Sequence, residues 1–158
     1  MAHISSIVIQ PDSRTYGEDL SEFIREPVQQ ANLIANYGLE GDAKAGHHPR
    51  RQVNFLTDDW LAAREAEGYR AEPGNFGEQL ILSGVVWESL EAGDHVQLGS
   101  EAVLEISGGR TGCSRLEAAQ GKTLDPSFQP AIGMLARVIQ DGAIQVGDPV
   151  VIRKSEMA

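Results

Sequence analysis

Cysteine is almost absent from this chain: Cys113 stands alone in 158 residues. A single cysteine cannot close an internal disulfide, so a reducing compartment, the cytoplasm, is the expected setting. It also excludes the C-x-x-C pair of dithiol redox chemistry. Positive charge is scarce too. Lys and Arg total 13 against 23 Asp and Glu, a formal charge of −10. That field repels nucleic acid and anionic membrane surfaces, so neither is an expected partner. No apolar run approaches the length of a membrane span, and residues 1–6 lack the basic start and apolar core of a secretory signal. The chain has no G-x-G-x-x-G opening a helix after a strand, no G-x-x-x-x-G-K-[ST] and no G-x-S-x-G. Dinucleotide, P-loop and esterase chemistry are thereby set aside.

Glycine, by contrast, is abundant. Its 17 copies, with 7 prolines, mark many turns and favour short strands over long helices. The length suits one domain, residues 1–158, able to bury its own core. Hydrophobic residues at 41% and charged residues at 23% are ordinary for a globular chain, so disorder is expected only near residues 154–158.

Residues 3–10 (HISSIVIQ) are β-branched and read as a strand that Pro11 ends. Residues 12–26 read as a loop, and residues 28–35 as a strand with Ala31, Leu33 and Ala35 on one face. Residues 37–51 are polar and glycine-punctuated, the pattern of a loop. A short strand at 52–56 leads to Thr57, which caps a helix over 58–67 with Asp58 and Asp59 in its first turn and Gly68 at its end. Strands are expected at 78–82 and 149–154. Hairpins are expected at 94–106, around Gly99-Ser100, and at 133–146, around Asp141-Gly142. Gly93-Asp94 and Gly147-Asp148 each launch an alternating strand, which suits a compact barrel.

Cys113 is the first candidate for chemistry. Glycines precede it, and residues 114–120 read as a helix. A thiol at a helix N-terminus, flanked by Arg110 and Arg115, is drawn toward thiolate, which is both nucleophile and soft metal ligand. A small buried hydrophobe is the alternative use of a lone cysteine. Asp42, His47 and His48 invite a metal, but their spacing matches no zinc motif, so they line a pocket or lie on the surface. Arg50, Arg51, Gln52 and Asn54 form a local basic and amide cluster suited to an anionic group such as phosphate; pairing of the arginines with surface acids is the alternative. Glu78, beside a glycine turn, is a candidate acid or base, with a solvated carboxylate as its ordinary alternative.

Several segments in order resemble the MOSC domain, the C-terminal domain of molybdenum cofactor sulfurases, which also occurs alone. They are Gly38-Leu39-Glu40-Gly41-Asp42, Arg51-Gln52-Val53, Pro73-Gly74-Asn75-Phe76-Gly77-Glu78, Gly93-Asp94, Arg110-Thr111-Gly112-Cys113, Gly133-Met134-Leu135-Ala136-Arg137-Val138 and Gly147-Asp148. The resemblance spans about residues 25–153. It departs from the family pattern at Gln79, where Asn is usual, at His47-His48-Pro49-Arg50, where many members have His-Gly-Gly, and after Cys113, where some members carry a second cysteine.

The resemblance implies a mainly β fold: a closed or partly closed β-barrel, like the barrel domain of pyruvate kinase, with a few short helices. It implies that Cys113 carries sulfur or, as in related amidoxime-reducing enzymes, ligates molybdenum. It implies a phosphate-bearing pterin, the molybdenum cofactor, with Arg51, Gln52, Asn54, Asn75, Arg110, Arg137 and His48 around it and Glu78 beside the reacting group. Pyridoxal phosphate is not carried over, since that chemistry belongs to a separate sulfurase domain. Three uses stay open. One is an enzyme or sulfur carrier, served by a cysteine desulfurase as sulfur donor or by an electron-transfer protein. Another is a module that binds and delivers the pterin without turnover. The third is a barrel that serves only as an interaction domain, with neither ligand nor reactive thiol.

Overall fold

A computed structural model describes residues 2–10, 26–42, 45–46, 49, 52–86, 89–109 and 133–155. Among these lie eleven strands and one helix: β1 (His3–Ile9), β2 (Glu26–Val28), β3 (Gln30–Ile34), β4 (Gly38–Leu39), β5 (Val53–Thr57), α1 (Asp58–Ala66), β6 (Leu80–Ser83), β7 (His95–Leu98), β8 (Ala102–Gly109), β9 (Met134–Gln140), β10 (Gly142–Gln145) and β11 (Val150–Arg153). Eight strands form one sheet in the order β11-β7-β8-β9-β5-β6-β1-β2, and β10-β3-β4 form a second.

The large sheet is curled and partly closed. Its end strands are β11 and β2. The start of β1 nevertheless meets the approach to β11: Ile4 N donates to Asp148 O at 2.9 Å and Val150 N to Ala2 O at 3.0 Å. Alternation decides which side chains enter the core. In β8, Ala102, Leu104 and Ile106 are buried while Val103, Glu105 and Ser107 are less so, the period of two that a pleated strand imposes. Strand β5 is buried at every position, as a central strand covered on both faces must be. It pairs antiparallel with β9 and parallel with β6. Its parallel neighbour requires a crossover, which α1 supplies. Thr57 caps that helix by accepting from Trp60 N, and the acidic first turn of Asp58 and Asp59 complements the helix dipole.

Three expectations are corrected here. Residues 133–146 do not close a hairpin. Strand β9 pairs with β8 and β5, whereas β10 pairs with β3 in the other sheet. Asp141 Oδ1 accepts from Ala35 N, and Gly142 packs so closely on Ala102 that a Cβ would lie 2.4 Å from Ala102 N, so the chain turns a corner between sheets. The strand expected at 28–35 is split at Gln29: β2 joins the large sheet and β3 the small one. Within the expected loop at 37–51, Gly38 and Leu39 pair with β3. Among the described residues no helix is long and apolar enough to cross a membrane.

Candidate functional site

The described core is mostly apolar, but beside β5 and β6 polar side chains are buried together. Gln52, Asn54, Glu78 and Gln79 are each at most 7% exposed, and Gln10 and Asp42 are as deeply buried. Buried amides and carboxylates must find partners, and these find one another. Asp42 Oδ1 accepts from Gln10 N at 2.8 Å, and Asp42 Oδ2 from Gln79 Nε2 at 3.0 Å. Gln79 Oε1 in turn accepts from Asn54 N at 2.8 Å. The result ties the end of β1, the turn after β4, the entry to β6 and the middle of β5.

Gln52 bridges another way. Its Oε1 accepts from Val138 N at 3.0 Å and its Nε2 donates to Pro49 O at 3.2 Å, which pins the loop before β5 to β9. Glu78 is fully buried, not solvated. Its carboxylate accepts from Gly74 N at 2.6 Å and from Phe76 N at 3.1 Å, so it shapes the Pro73-Gly74-Asn75-Phe76-Gly77 loop. Phe76 plugs that loop into the core, edge-on to Trp60 with ring centroids 5.0 Å apart. Asn75 folds the same loop by accepting from Glu72 N at 2.8 Å. It lines a cleft of about 410 Å³ with Glu65, Tyr69, Arg70, Ala71 and Glu72.

Asn54 differs from its neighbours. Its Nδ2 donates to Gly77 O at 3.2 Å, yet its Oδ1 is buried with no donor in reach among the described residues. Arg137 lies elsewhere, on the partly exposed outer face of β9, where its guanidinium pairs with Glu105 at 2.9 Å. His95 Nε2 reaches the same carboxylate at 3.3 Å. Cys113, Arg51, Arg110 and His48 lie outside the described residues, as do His47 and Arg50. Strand β8 ends at Gly109, four positions before Cys113; Gly109 is paired with Met134, and Met134 with Phe55. Two strand spacings, roughly 10 Å, therefore separate Gly109 from β5 at the residue after Asn54. Among the described residues no group of three or more His, Cys, Asp or Glu side chains could hold a metal ion. Asp42, considered above with the two histidines, is occupied by Gln10 and Gln79.

This arrangement holds the loops around β5 and β6 in place through buried hydrogen bonds.

The family model for the MOSC domain matches residues 42–151, more than half of the chain. The chain belongs to the MOSC domain family. No curated protein sequence matches it. Its fold recurs in solved structures. It is similar to the YUAD protein from Bacillus subtilis at 18% identity and a TM-score of 0.73, covering 99% of this chain and 98% of that one. It is similar to YiiM from Geobacillus stearothermophilus at 21% identity and a TM-score of 0.70, covering 98% and 76%. It is also similar to YiiM from Escherichia coli at 20% identity and a TM-score of 0.71, covering 100% and 72%. At such identities the likeness concerns the MOSC fold.

Gln79 and Gln10 were not singled out as site residues from the sequence. Gln79 showed itself only as a departure from the MOSC motif. Its longer side chain contacts both Asp42 and the Asn54 backbone.

Proposed function

We propose that this MOSC protein handles sulfur or the molybdenum cofactor through Cys113. The observation that carries the reading is the MOSC family match over residues 42–151, a span that includes Cys113. The resemblance set out above implies a phosphate-bearing pterin as the ligand. Arg51 and Arg110, in an otherwise acidic chain, would hold its phosphate. When bound, the cofactor would supply two-electron redox chemistry. Gln52 and Glu78 would hold the loops around it.

As a sulfur carrier, the Cys113 thiolate attacks the terminal sulfur of a donor persulfide. A new S–S bond forms at Cys113 and the donor leaves as thiolate, with no net oxidation. A cysteine desulfurase is the class of enzyme that would supply that persulfide; an electron-transfer protein would serve the molybdenum alternative. A thiol used in either way suits a reducing compartment such as the cytoplasm.

The test is Cys113→Ala, assayed for persulfide loading and for cofactor-dependent reduction of N-hydroxylated bases. Loss of either activity supports the reading, and retention of both rejects a central role for the cysteine. A second reading shares the ligand and needs no turnover: a module that binds and delivers pterin. Native mass spectrometry separates them, since pterin bound by a wild type that shows neither activity, and retained in Cys113→Ala, favours delivery.

A further inference from the structure

The outer face of the large sheet carries a row of charged side chains. Arg153 on β11 stands opposite His95 on β7, His95 opposite Glu105 on β8, and Glu105 opposite Arg137 on β9. Residues directly opposite in a sheet share a face and reach one another. The alternating Val96, Leu104 and Ala136 enter the core, so this row faces solvent. His95 is 42% exposed and Glu105 30%. At the β11 end of the row a cleft of about 360 Å³ opens, lined by Gly93, His95, Glu105, Arg153, Lys154 and Ser155.

Charge here runs against the rest of the chain. The protein carries −10 overall, yet at this face Arg137, Arg153 and Lys154 outnumber Glu105 and the buried Asp94. Both acids are already answered. Glu105 pairs with Arg137 at 2.9 Å and is reached by His95 at 3.3 Å. Asp94 accepts from Lys154 Nζ and from Ser155 N. Arg153 is exposed, and its guanidinium has no ion pair or hydrogen bond among the described residues. Lys154 Nζ spends two of its three N–H groups, on Asp94 Oδ2 and Ser89 O, and keeps one. The Ser155 hydroxyl lies beside them on the cleft wall. Because Asp94 also holds the Ser155 backbone, these donors sit at a fixed rim.

We propose that this cleft binds a phosphate group, with Arg153 as its main contact and Lys154 and Ser155 completing the donor set. A guanidinium fork, an ammonium and a hydroxyl offer more donors than the two oxygens of a carboxylate take up, and the terminal oxygens of a phosphate use them. None of the residues lining the cleft belongs to the set expected around the pterin, so the site is separate from the Cys113 reading. Arg137, which was in that set, serves here by neutralising Glu105.

The experiment is a backbone-amide NMR titration of the purified full chain at pH 7, with inorganic phosphate as the probe and sodium chloride at matched ionic strength as the control. Saturable shifts centred on residues 93–95 and 153–155 are expected with phosphate alone. Arg153→Gln, whose side chain has no partner to lose, is expected to weaken binding about fivefold, the upper end for an exposed ion pair. Arg153→Lys keeps the charge without the fork and is expected to fall between the two. Sodium acetate is expected to bind more weakly than phosphate. Shifts that chloride reproduces, shifts centred elsewhere, or an affinity unchanged in Arg153→Gln overturn the site. Acetate binding as tight as phosphate overturns the choice of ligand. Should Arg153→Gln fail to fold, the position of the wild-type shifts decides alone.

Discussion

Gln79 Nε2 donates to Asp42 Oδ2 at 3.0 Å, joining buried residues 37 positions apart in the chain. Through the other end of the same amide, Gln79 holds the backbone of Asn54. A side chain at the entry to β6 thus couples the turn after β4 to β5. This coupling sets where Asn54 sits and makes the buried polar groups one mechanical unit.

Removing Asp42 should therefore damage the fold. Asp42→Ala strands two buried donors, Gln10 N–H and Gln79 Nε2–H. Each unsatisfied buried donor costs about 1–3 kcal/mol, so a loss of roughly 3 kcal/mol is expected. At about 2–4 °C per kcal/mol for a chain of this size, Tm falls by roughly 6–12 °C. A thermal melt followed by circular dichroism checks it. A fall under about 2 °C would mean that water replaces the carboxylate easily.

Glu78 offers a sharper choice between roles. Two loop amides point at its carboxylate. In Glu78→Gln the amide NH2 replaces one of the accepting oxygens. Stability should drop by about 1–3 kcal/mol in a urea titration. A residue acting only as an acid or base would instead lose activity with its melt unchanged. That outcome would return Glu78 to the catalytic role expected from sequence.

Legibility from sequence divided along a physical line. Strands β1, β7, β8 and β11 and helix α1 were readable because alternation, turns and capping are local. The partly closed β architecture followed from the ordered motifs around Gly38, Gly93 and Gly147. The β9–β10 corner was not readable. Asp141-Gly142 has the composition of a hairpin turn, and only packing against Ala35 and Ala102 sends β10 to another sheet. The site divided the same way. Gln52, Asn54 and Glu78 could be singled out by residue type and motif. The burial of Glu78 and the partnership of Gln79 with Asp42 depend on contacts across the fold, which no local pattern encodes.

Gly133 closes the gap just before β9, where the chain returns from the segment containing Cys113. Its φ is +84°, and an added Cβ would lie 2.6 Å from Leu56 Cδ2 and 2.7 Å from Phe55 O. The leucine methyl can move, but a carbonyl in a central strand cannot move without disturbing the ladder. Gly133→Ala is expected to lose about 2–3 kcal/mol, combining left-handed strain with overpacking. Chemical denaturation measures this, and a neutral result would show that the approach to β9 can re-route.

The C-terminal strand is fastened by a buried acid, and this sets a pH dependence. Asp94 is 1% exposed and accepts from Lys154 Nζ, from Ser155 N at 2.8 Å and from Glu91 N at 2.9 Å. Burial pushes its pKa up, but the hydrogen bond from Lys154, the bonds from Ser155 and Glu91 and the Lys154 charge together hold it below its ordinary value of 3.8. A carboxylate depressed in the folded state contributes stability that is fully present above its unfolded pKa. That stability is lost as pH falls through the folded one. The contribution is thus intact at neutral pH and disappears below about pH 4. Asp94→Asn should lower the urea midpoint at pH 7 and flatten the part of the acid limb that this group generates. Lys154→Met removes one donor and the charge but leaves both backbone donors. It should reproduce part of the loss at pH 7 and move the remaining acid limb to higher pH. An acid limb in Asp94→Asn as steep as in the wild type would show that other carboxylates control acid unfolding.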